Sequence, residues 1–301
     1  MSEDLDVSPL VQSWSVGTTR ITSVLEMAPQ IVDPARFIQT DRSDVRQIEW
    51  LFPDFADEDG SIKLNFQIFV IEAGNLRIVV DPCFGNDKQR KHTSYTMLKN
   101  PLLERLESAG FHPDTIDYVV CTHLHADHCG WNTVLANGIW VPTFANAQYL
   151  ITEAEYEHAA NSEYGDAQAV LADSVTPIVI AGLARFVDPS HVICEGVCLE
   201  PTPGHTPGHC SVFISSEGRE AIITGDLIHH PIQLAFPQVG DNFCWNSVMS
   251  ENTRRRILGR AADSGALLLG SHFSGPVGIY VQPDGTKRRG RTAHWQAGNN
   301  R

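Results

Sequence analysis

Apolar residues fall in short runs along most of the chain, and the runs predict strands more often than helices. RITSV (20–24) reads as a first strand. LNFQIFVIEAG (64–74) and LRIVVDPC (76–83) read as two strands joined at Gly74-Asn75, a hairpin signal. SYTMLKNPLLERLESAG (94–110) has helical spacing and closes on Gly110. TIDYVVCTH (115–123) is a continuous apolar run, as a buried strand requires. Residues 145–165 carry helix signals around a short strand. HVICEGVCLEPTP, HCSVFISS and EAIITGD give three further strands, and the first makes Cys194 and Cys198 strand residues rather than a zinc knuckle. SENTRRRILGRAADSG (250–265) predicts a helix with Ser250 as N-cap and Gly265 as stop, and ALLLGSHF (266–273) a last buried strand.

Between 28 and 61 the pattern breaks into Pro, Asp and aromatic residues, a long connection of the kind that is usually functional or disordered. Residues 276–301 read as a short tail, with the basic run KRRGR (287–291) as a solvated loop. No repeat and no linker divides the chain. Strands in runs with helices between them predict an α/β (α+β) layered fold, two mixed sheets covered by helices, in a single domain over 1–301.

Composition narrows the partners. The chain has 301 residues, 42% of them apolar, enough for one large core. A formal net charge of −14 disfavours nucleic acid, whose phosphates are bound by Lys and Arg, and disfavours anionic membranes. No run approaches the ~20 apolar residues of a membrane span, and the acidic N-terminus lacks an export signal. Seven cysteines in no disulfide spacing fit reduced thiols and a cytoplasmic location.

The chemistry concentrates in CTHLHADHCG (121–130). His123 and His125 alternate along a strand end and point the same way, while Asp127 and His128 follow on the turn. Neutral imidazoles and carboxylates are the donors a borderline-soft divalent ion takes. Three more apolar runs end next to glycine on a residue of the same kind: His205 in TPGHTPGH, Asp226 in IITGD and His272 in LLLGSHF.

In this set and order the chain resembles the metallo-β-lactamase superfold, from about residue 20 to 275. The resemblance implies an αβ/βα sandwich with a dinuclear site at its edge. It places His123, His125 and His205 on one divalent ion, Asp127, His128 and His272 on the other, and Asp226 as a bridge. Zinc is the default, with Mn, Fe or Co accepted by the same donors. Asp81, ending LRIVVD, falls where the family keeps a carboxylate that orients a ligating histidine. His209, Cys121 and Cys129 stay outside the ligand set.

Two such ions lower the pKa of a shared water and supply hydroxide at neutral pH, which implies hydrolysis. Asp127 is then placed to orient the nucleophile and shuttle its proton. CTHLHADHCGWN, TGDLIHHPIQ and LLLGSHF look most like the quorum-quenching lactonase and methyl parathion hydrolase group, so the expected reaction is opening of a lactone or ester carbonyl in a small-molecule substrate. Phosphotriester and thioester hydrolysis are the alternatives, with a mononuclear iron oxygenase of the same fold behind them. One departure matters. Homoserine lactonases carry a Tyr shortly after the bridging Asp, and here the chain reads Leu227, Ile228, His229, His230. His229 or His230 is the candidate replacement, as donor or substrate contact. Aromatics at 50, 52, 55, 131, 140, 144, 236 and 245 are candidates for a pocket wall, two or three of them at most. Relatives in this group make a homodimer the expected assembly.

Overall fold

The computed structural model describes residues 10–163 and 165–297. Its strands, in chain order, begin with β1 (Val11–Val16), β2 (Thr19–Val32), β3 (Ile62–Ala73), β4 (Leu76–Val80) and β5 (Tyr118–Val120). Then come β6 (Thr133–Ala136), β7 (Ile139–Pro142), β8 (Gln148–Thr152) and β9 (Ala184–Val187). The second half supplies β10 (Val192–Cys194), β11 (Val197–Pro201), β12 (Cys210–Ser216), β13 (Arg219–Ile223) and β14 (Leu267–Leu269). It closes with β15 (Gly278–Asp284), β16 (Lys287–Thr292) and β17 (Gln296–Ala297). One mixed sheet runs β17-β1-β2-β3-β4-β5-β8-β9, and the other runs β10-β11-β12-β13-β14-β15-β16. β6 and β7 form a separate small hairpin.

Alternation along the strands sorts the core into layers. On β3, Phe69 and Ile71 face the second sheet and pack with Val212, Ile223 and Leu269. Their neighbours Ile68 and Val70 face outward, against Leu102, Leu106, Val175 and Ile178. The second sheet buries its own outer face, through Phe213, Ile222 and Leu268, against Ile257, Leu258 and Ala261 of the helix Ser247–Ser264. The result is the expected sandwich, two mixed sheets flanked by helices.

Boundaries differ from the sequence pattern in several places: a strand precedes 20–24, the 115–123 run is strand only at Tyr118–Val120, HVICEGVCLEPTP is the two strands β10 and β11, and four further differences have a local reason. Helix 94–110 is a single 3-10 turn at Thr93–Tyr95 and a true helix only over Leu102–Ser108, because Pro101 lacks an N–H and keeps Asn100 out of the helical region. The long helix starts at Ser247 rather than after Ser250. Asn246 caps it by accepting from Met249 N, and Ser250 is buried inside, its Oγ accepting from Arg254. Gly265 ends it in the left-handed region at φ 70°, as expected. The loop expected from 28 begins only after Val32, since β2 pairs with β3 as far as Val32–Ile62. The expected tail is the hairpin β15–β16, and the basic run 287–291 is the edge strand of the second sheet. Lysine and arginine on an edge discourage pairing with another chain. Here two of them also cover aromatics: Lys287 lies over Phe236 at 4.0 Å and Arg291 over Tyr280 at 4.7 Å.

Among the described residues no helix is long and apolar enough to cross a membrane.

Candidate metal centre

Two parallel strand pairs bring the site together. β4 and β5 run side by side in the first sheet, β13 and β14 in the second. Their carboxyl ends lie at one edge of the sandwich, the usual place for a site in such sheets. Asp81 follows β4, His123 follows β5, Asp226 follows β13 and His272 follows β14; His205 sits on the turn between β11 and β12.

The motif turn is held at its far end by backbone bonds and by the Trp131 indole, which donates to Glu26. Gly130 N donates to Cys83 O at 2.6 Å and Trp131 N to Pro82 O at 2.7 Å. A Cβ on Gly130 would stand 1.7 Å from Phe84 O, so no side chain fits there. This contact fixes the short helix Ala126–Cys129, which carries Asp127 and His128.

Second partners fix how the imidazoles face. Asp81 accepts from Thr122 N and Thr122 Oγ1, both at 2.8 Å, and meets His128 Nδ1 at 2.9 Å. A carboxylate only accepts, so His128 donates from Nδ1 and leaves Nε2 free. Thr122 has given its one proton to Asp81, so its oxygen accepts from His123 Nδ1 at 3.1 Å. His272 Nδ1 donates to Asn65 O at 3.0 Å. In all three rings Nε2 is buried and has no hydrogen-bond partner.

Those free nitrogens converge. Asp226 Oδ2 lies 3.5 Å from His123 Nε2 and 3.3 Å from His205 Nε2. Its other oxygen, Oδ1, lies 3.2 Å from His128 Nε2 and 3.0 Å from His272 Nε2. Asp127 Oδ2 is 3.6 Å from His128 Nε2 and 3.5 Å from His272 Nε2. His125 Nδ1 meets His205 Nε2 at 2.9 Å. Donor atoms of His123, His125, His205 and Asp226 all lie within 4.8 Å of one another, and so do those of Asp127, His128 and His272. Buried, partnerless nitrogens and carboxylate oxygens crowded this closely fit a divalent cation. The seven residues singled out by sequence as ligands are thus together.

The protein's own charges divide the cluster. Burial pushes His123 well below the ordinary histidine pKa and His125 down to about 3, with neighbouring imidazoles adding to the effect. Burial works the same way on His128 and His272, but there the carboxylates prevail: Asp226, Asp127 and Asp81 raise His128 well above its usual value, and Asp226 and Asp127 raise His272. Burial tends to raise Asp226, yet the surrounding histidines hold it well below the carboxylate range.

The remaining sequence candidates separate. His209 accepts from Asp226 N at 3.0 Å through Nε2, and its Nδ1 bonds Thr202 Oγ1 at 2.8 Å, so both nitrogens are spent on holding the Asp226 turn. His229 points into the cluster, with Nε2 3.1 Å from Asp226 Oδ2. His230 points away, donating from Nε2 to Phe55 O at 2.8 Å and accepting at Nδ1 from Ile232 N at 3.2 Å. Cys121 and Cys129 are buried thiols bonded to Asn132 and to His125 O.

Sequence reasoning missed the surroundings. Asp241 lies 3.3 Å from His205 Nδ1 and 3.8 Å from His229 Nδ1, and no motif marks it. Most of the aromatics expected around the site pack elsewhere: Phe55 against Phe273, Trp140 over Lys88 and Phe144 in the outer core. The rings beside the histidines are Phe37, 5.5 Å from His229, and Phe66, 5.0 Å from His272. Phe243 extends the first contact; Phe84 and Tyr95 extend the second. Phe66 lies on β3, and what surrounds it and Phe37 comes from distant segments that no short pattern encodes.

Comparison with known proteins agrees with this geometry. The family model described as the metallo-beta-lactamase superfamily matches residues 67–263. The chain belongs to that superfamily. Among solved structures, a hydrolase of the superfamily called AbOPH superposes with a TM-score of 0.78 at 20% identity, covering 97% of this chain and 99% of that one. AidC, described as a dizinc quorum-quenching lactonase, superposes equally well at 19% identity, with the same coverage. At these identities the likeness establishes the metallo-beta-lactamase fold. In sequence, an N-acyl homoserine lactonase from a Bacillus species is 32% identical over 112 residues, 37% of this chain. That match spans only 38% of the lactonase's length. Metallo-beta-lactamase domain-containing protein 1 of Xenopus laevis is 27% identical over 212 residues, 69% of this chain and 67% of its own.

Proposed function

We propose that the protein is a dinuclear, metal-dependent hydrolase that opens the carbonyl of a lactone or ester, with zinc as the ion. The observation that carries this reading is Asp226. Its two oxygens face two different ligand groups, Oδ2 towards His123 and His205 and Oδ1 towards His128 and His272. A carboxylate so placed would serve two cations, one held with His123, His125 and His205 and the other with Asp127, His128 and His272. Two bound ions supply an acidified water and polarise the oxygen under attack.

The chain's own residues do the rest. Asp127, like His125, is partly exposed, and it takes and relays the proton of the attacking water. His229, three residues after Asp226, is the candidate for the part of the tyrosine expected shortly after the bridging Asp from the resemblance to homoserine lactonases. Its Nε2 faces the site beside Asp226, so it holds or protonates the leaving oxygen. His230, with both nitrogens bonded to backbone, anchors the turn to Phe55. Phe37 and Phe243 on one side and Phe66, Phe84 and Tyr95 on the other exclude water and take an apolar acyl or aryl group. The lactonase relatives and AidC support acyl homoserine lactones as the first class to try.

The reading takes 1–301 as one catalytic domain, in a cytoplasmic homodimer. Light scattering on purified protein tests the dimer. The decisive experiment is hydrolysis of a panel of lactones, aryl esters, thioesters, phosphotriesters and β-lactams, with metal content measured on the same sample. Two ions per chain and turnover of lactones or esters are expected. A single ion at saturation, or turnover of phosphotriesters alone, would overturn it.

A further inference from the structure

A buried carboxylate normally has a cation or several donors around it, because an unpaired one costs several kcal/mol. Asp241 is 1% exposed, and its Oδ2 has no hydrogen-bond partner. Phe243 N donates to Oδ1 at 2.9 Å. The nearby Arg254 bonds Leu227 O, Pro237 O, Val239 O and Ser250 Oγ instead. What Asp241 faces is two imidazoles and, within 4.8 Å, the Cys244 thiol, which itself donates to Gly204 O. Oδ1 lies 3.3 Å from His205 Nδ1 and Oδ2 lies 3.8 Å from His229 Nδ1. Both of these nitrogens are buried and equally partnerless. The two rings stand 5.0 Å apart, and the opposite nitrogen of each, Nε2, approaches the same atom, Asp226 Oδ2, at 3.3 and 3.1 Å.

The backbone around Asp241 is built to hold it there. Residue 241 bridges to Ile38, and its carbonyl accepts from Gln39 Nε2 at 3.1 Å. Gln39 N in turn donates to Gly240 O. The segment after β2 is thereby stitched to the segment before the long helix. At 3.3 and 3.8 Å each oxygen of the carboxylate faces its own ring nitrogen.

We infer that Asp241 is a positioning residue shared by His205 and His229, holding the Nδ1 proton of both so that both Nε2 atoms face the metal centre. One carboxylate would then orient a metal ligand and the substrate-facing histidine together. The inference rests on the proposed hydrolase for the role of His229, but the orientation of the two rings does not depend on it.

The two oxygens make the roles separable. In Asp241→Asn, Phe243 N–H still requires an oxygen at the Oδ1 position, so His205 keeps its acceptor. The amide nitrogen then replaces Oδ2 and meets His229 Nδ1 donor to donor, which forces the His229 proton to Nε2. This is the wrong-tautomer effect of an Asp-to-Asn change behind a catalytic histidine. In Asp241→Ala both rings lose the acceptor. Losing such a partner costs about 10- to 100-fold in metal affinity or activity.

Three readouts test this: chelator competition for metal, nitrogen NMR of the histidine rings in metal-free and loaded protein, and kinetics. Asp241→Ala should release metal about 10- to 100-fold more readily. Asp241→Asn should hold metal within about threefold of the parent, show His229 in the other tautomer, and lose kcat with KM little changed. In a His229→Ala background, Asp241→Asn should change kcat by less than about twofold, since it acts through a ring already gone. Unchanged metal retention in Asp241→Ala, or an unchanged His229 ring signal in Asp241→Asn, would overturn the inference. If Asp241→Ala does not fold, the Asn variant decides by the ring signal. If the parent protein hydrolyses nothing, the proposed function fails, while the metal and NMR readouts still judge Asp241.

Discussion

His229 and His230 are neighbours in the chain and face opposite ways, and the contrast can be measured. His229→Ala should lower lactone opening by about 10²–10⁴-fold, the usual worth of a proton donor, and aryl-ester cleavage less, because a phenoxide leaves with little help. His230→Ala should instead cost stability through the lost bond to Phe55 O and leave the ratio of the two activities unchanged. Rates on one lactone and one aryl ester, with a melting curve, separate the cases. Asp226→Asn removes a charge facing both ligand groups and should lower metal content and activity together, whereas Cys129→Ser should preserve both. Metal content of the purified variants checks this pair. The clustered histidines and aspartates were legible in the sequence because spacing within 123–128 and glycine-flanked strand ends mark them directly. Asp241 was not, since its role depends on a tertiary approach to two rings from a loop without a signature. The same holds for Phe37 and Phe66, whose neighbours come from elsewhere in the chain.

At the scale of elements, the loop after β4 needs an anchor, and a buried charge cluster provides one. Lys88 and Arg90 reach under the small hairpin to Asp173, on a π-helical turn at Leu171–Val175. Arg90 makes two bonds to its carboxylate, at 2.7 and 2.9 Å. Lys88 donates to Thr133 Oγ1 at 2.8 Å and lies 3.8 Å from the Trp140 ring. Burial pulls its pKa down to about 8 despite the carboxylate. Asp173→Ala would leave two cations buried without a counter-charge, at a cost of about 3–5 kcal/mol. Urea unfolding should show that loss, and the loop that carries Phe84 and Tyr95 beside the site should become protease-sensitive. Elements with strong periodicity and glycine stops, such as β3–β4 and the end of the long helix, were legible in the sequence. Helix starts were not: Pro101 and the Asn246 cap override spacing that otherwise looks helical. Charge clusters like this one join segments far apart in sequence, and a local pattern cannot show them.

At the scale of the whole molecule, the site belongs to both sheets, so its occupancy and the fold's stability are linked. Metal at about 100-fold above its dissociation constant should add about 2.7 kcal/mol, and a chelator should lower Tm by ~5–10 °C. Calorimetry with and without chelator checks this. Filling should also depend on pH in a definite order. Burial and neighbouring imidazoles favour the neutral forms of His123 and His125, whereas the nearby carboxylates favour the protonated forms of His128 and His272. An entering ion must displace those protons, so the Asp127/His128/His272 side should weaken first as pH falls. Titration calorimetry in buffers of different ionisation heat should show more protons released by the second ion than by the first.

The meeting of two sheets at one edge also sets when the protein can mature. His123 and His272 lie roughly 150 residues apart and are brought together only by long-range pairing, the slow part of folding. A chain still emerging from the ribosome would offer His123, His125, Asp127 and His128 long before Asp226 or His272 exists. An ion met at that stage would find half a nest. Any ion therefore meets the complete cluster only on the finished chain, after both sheets have paired.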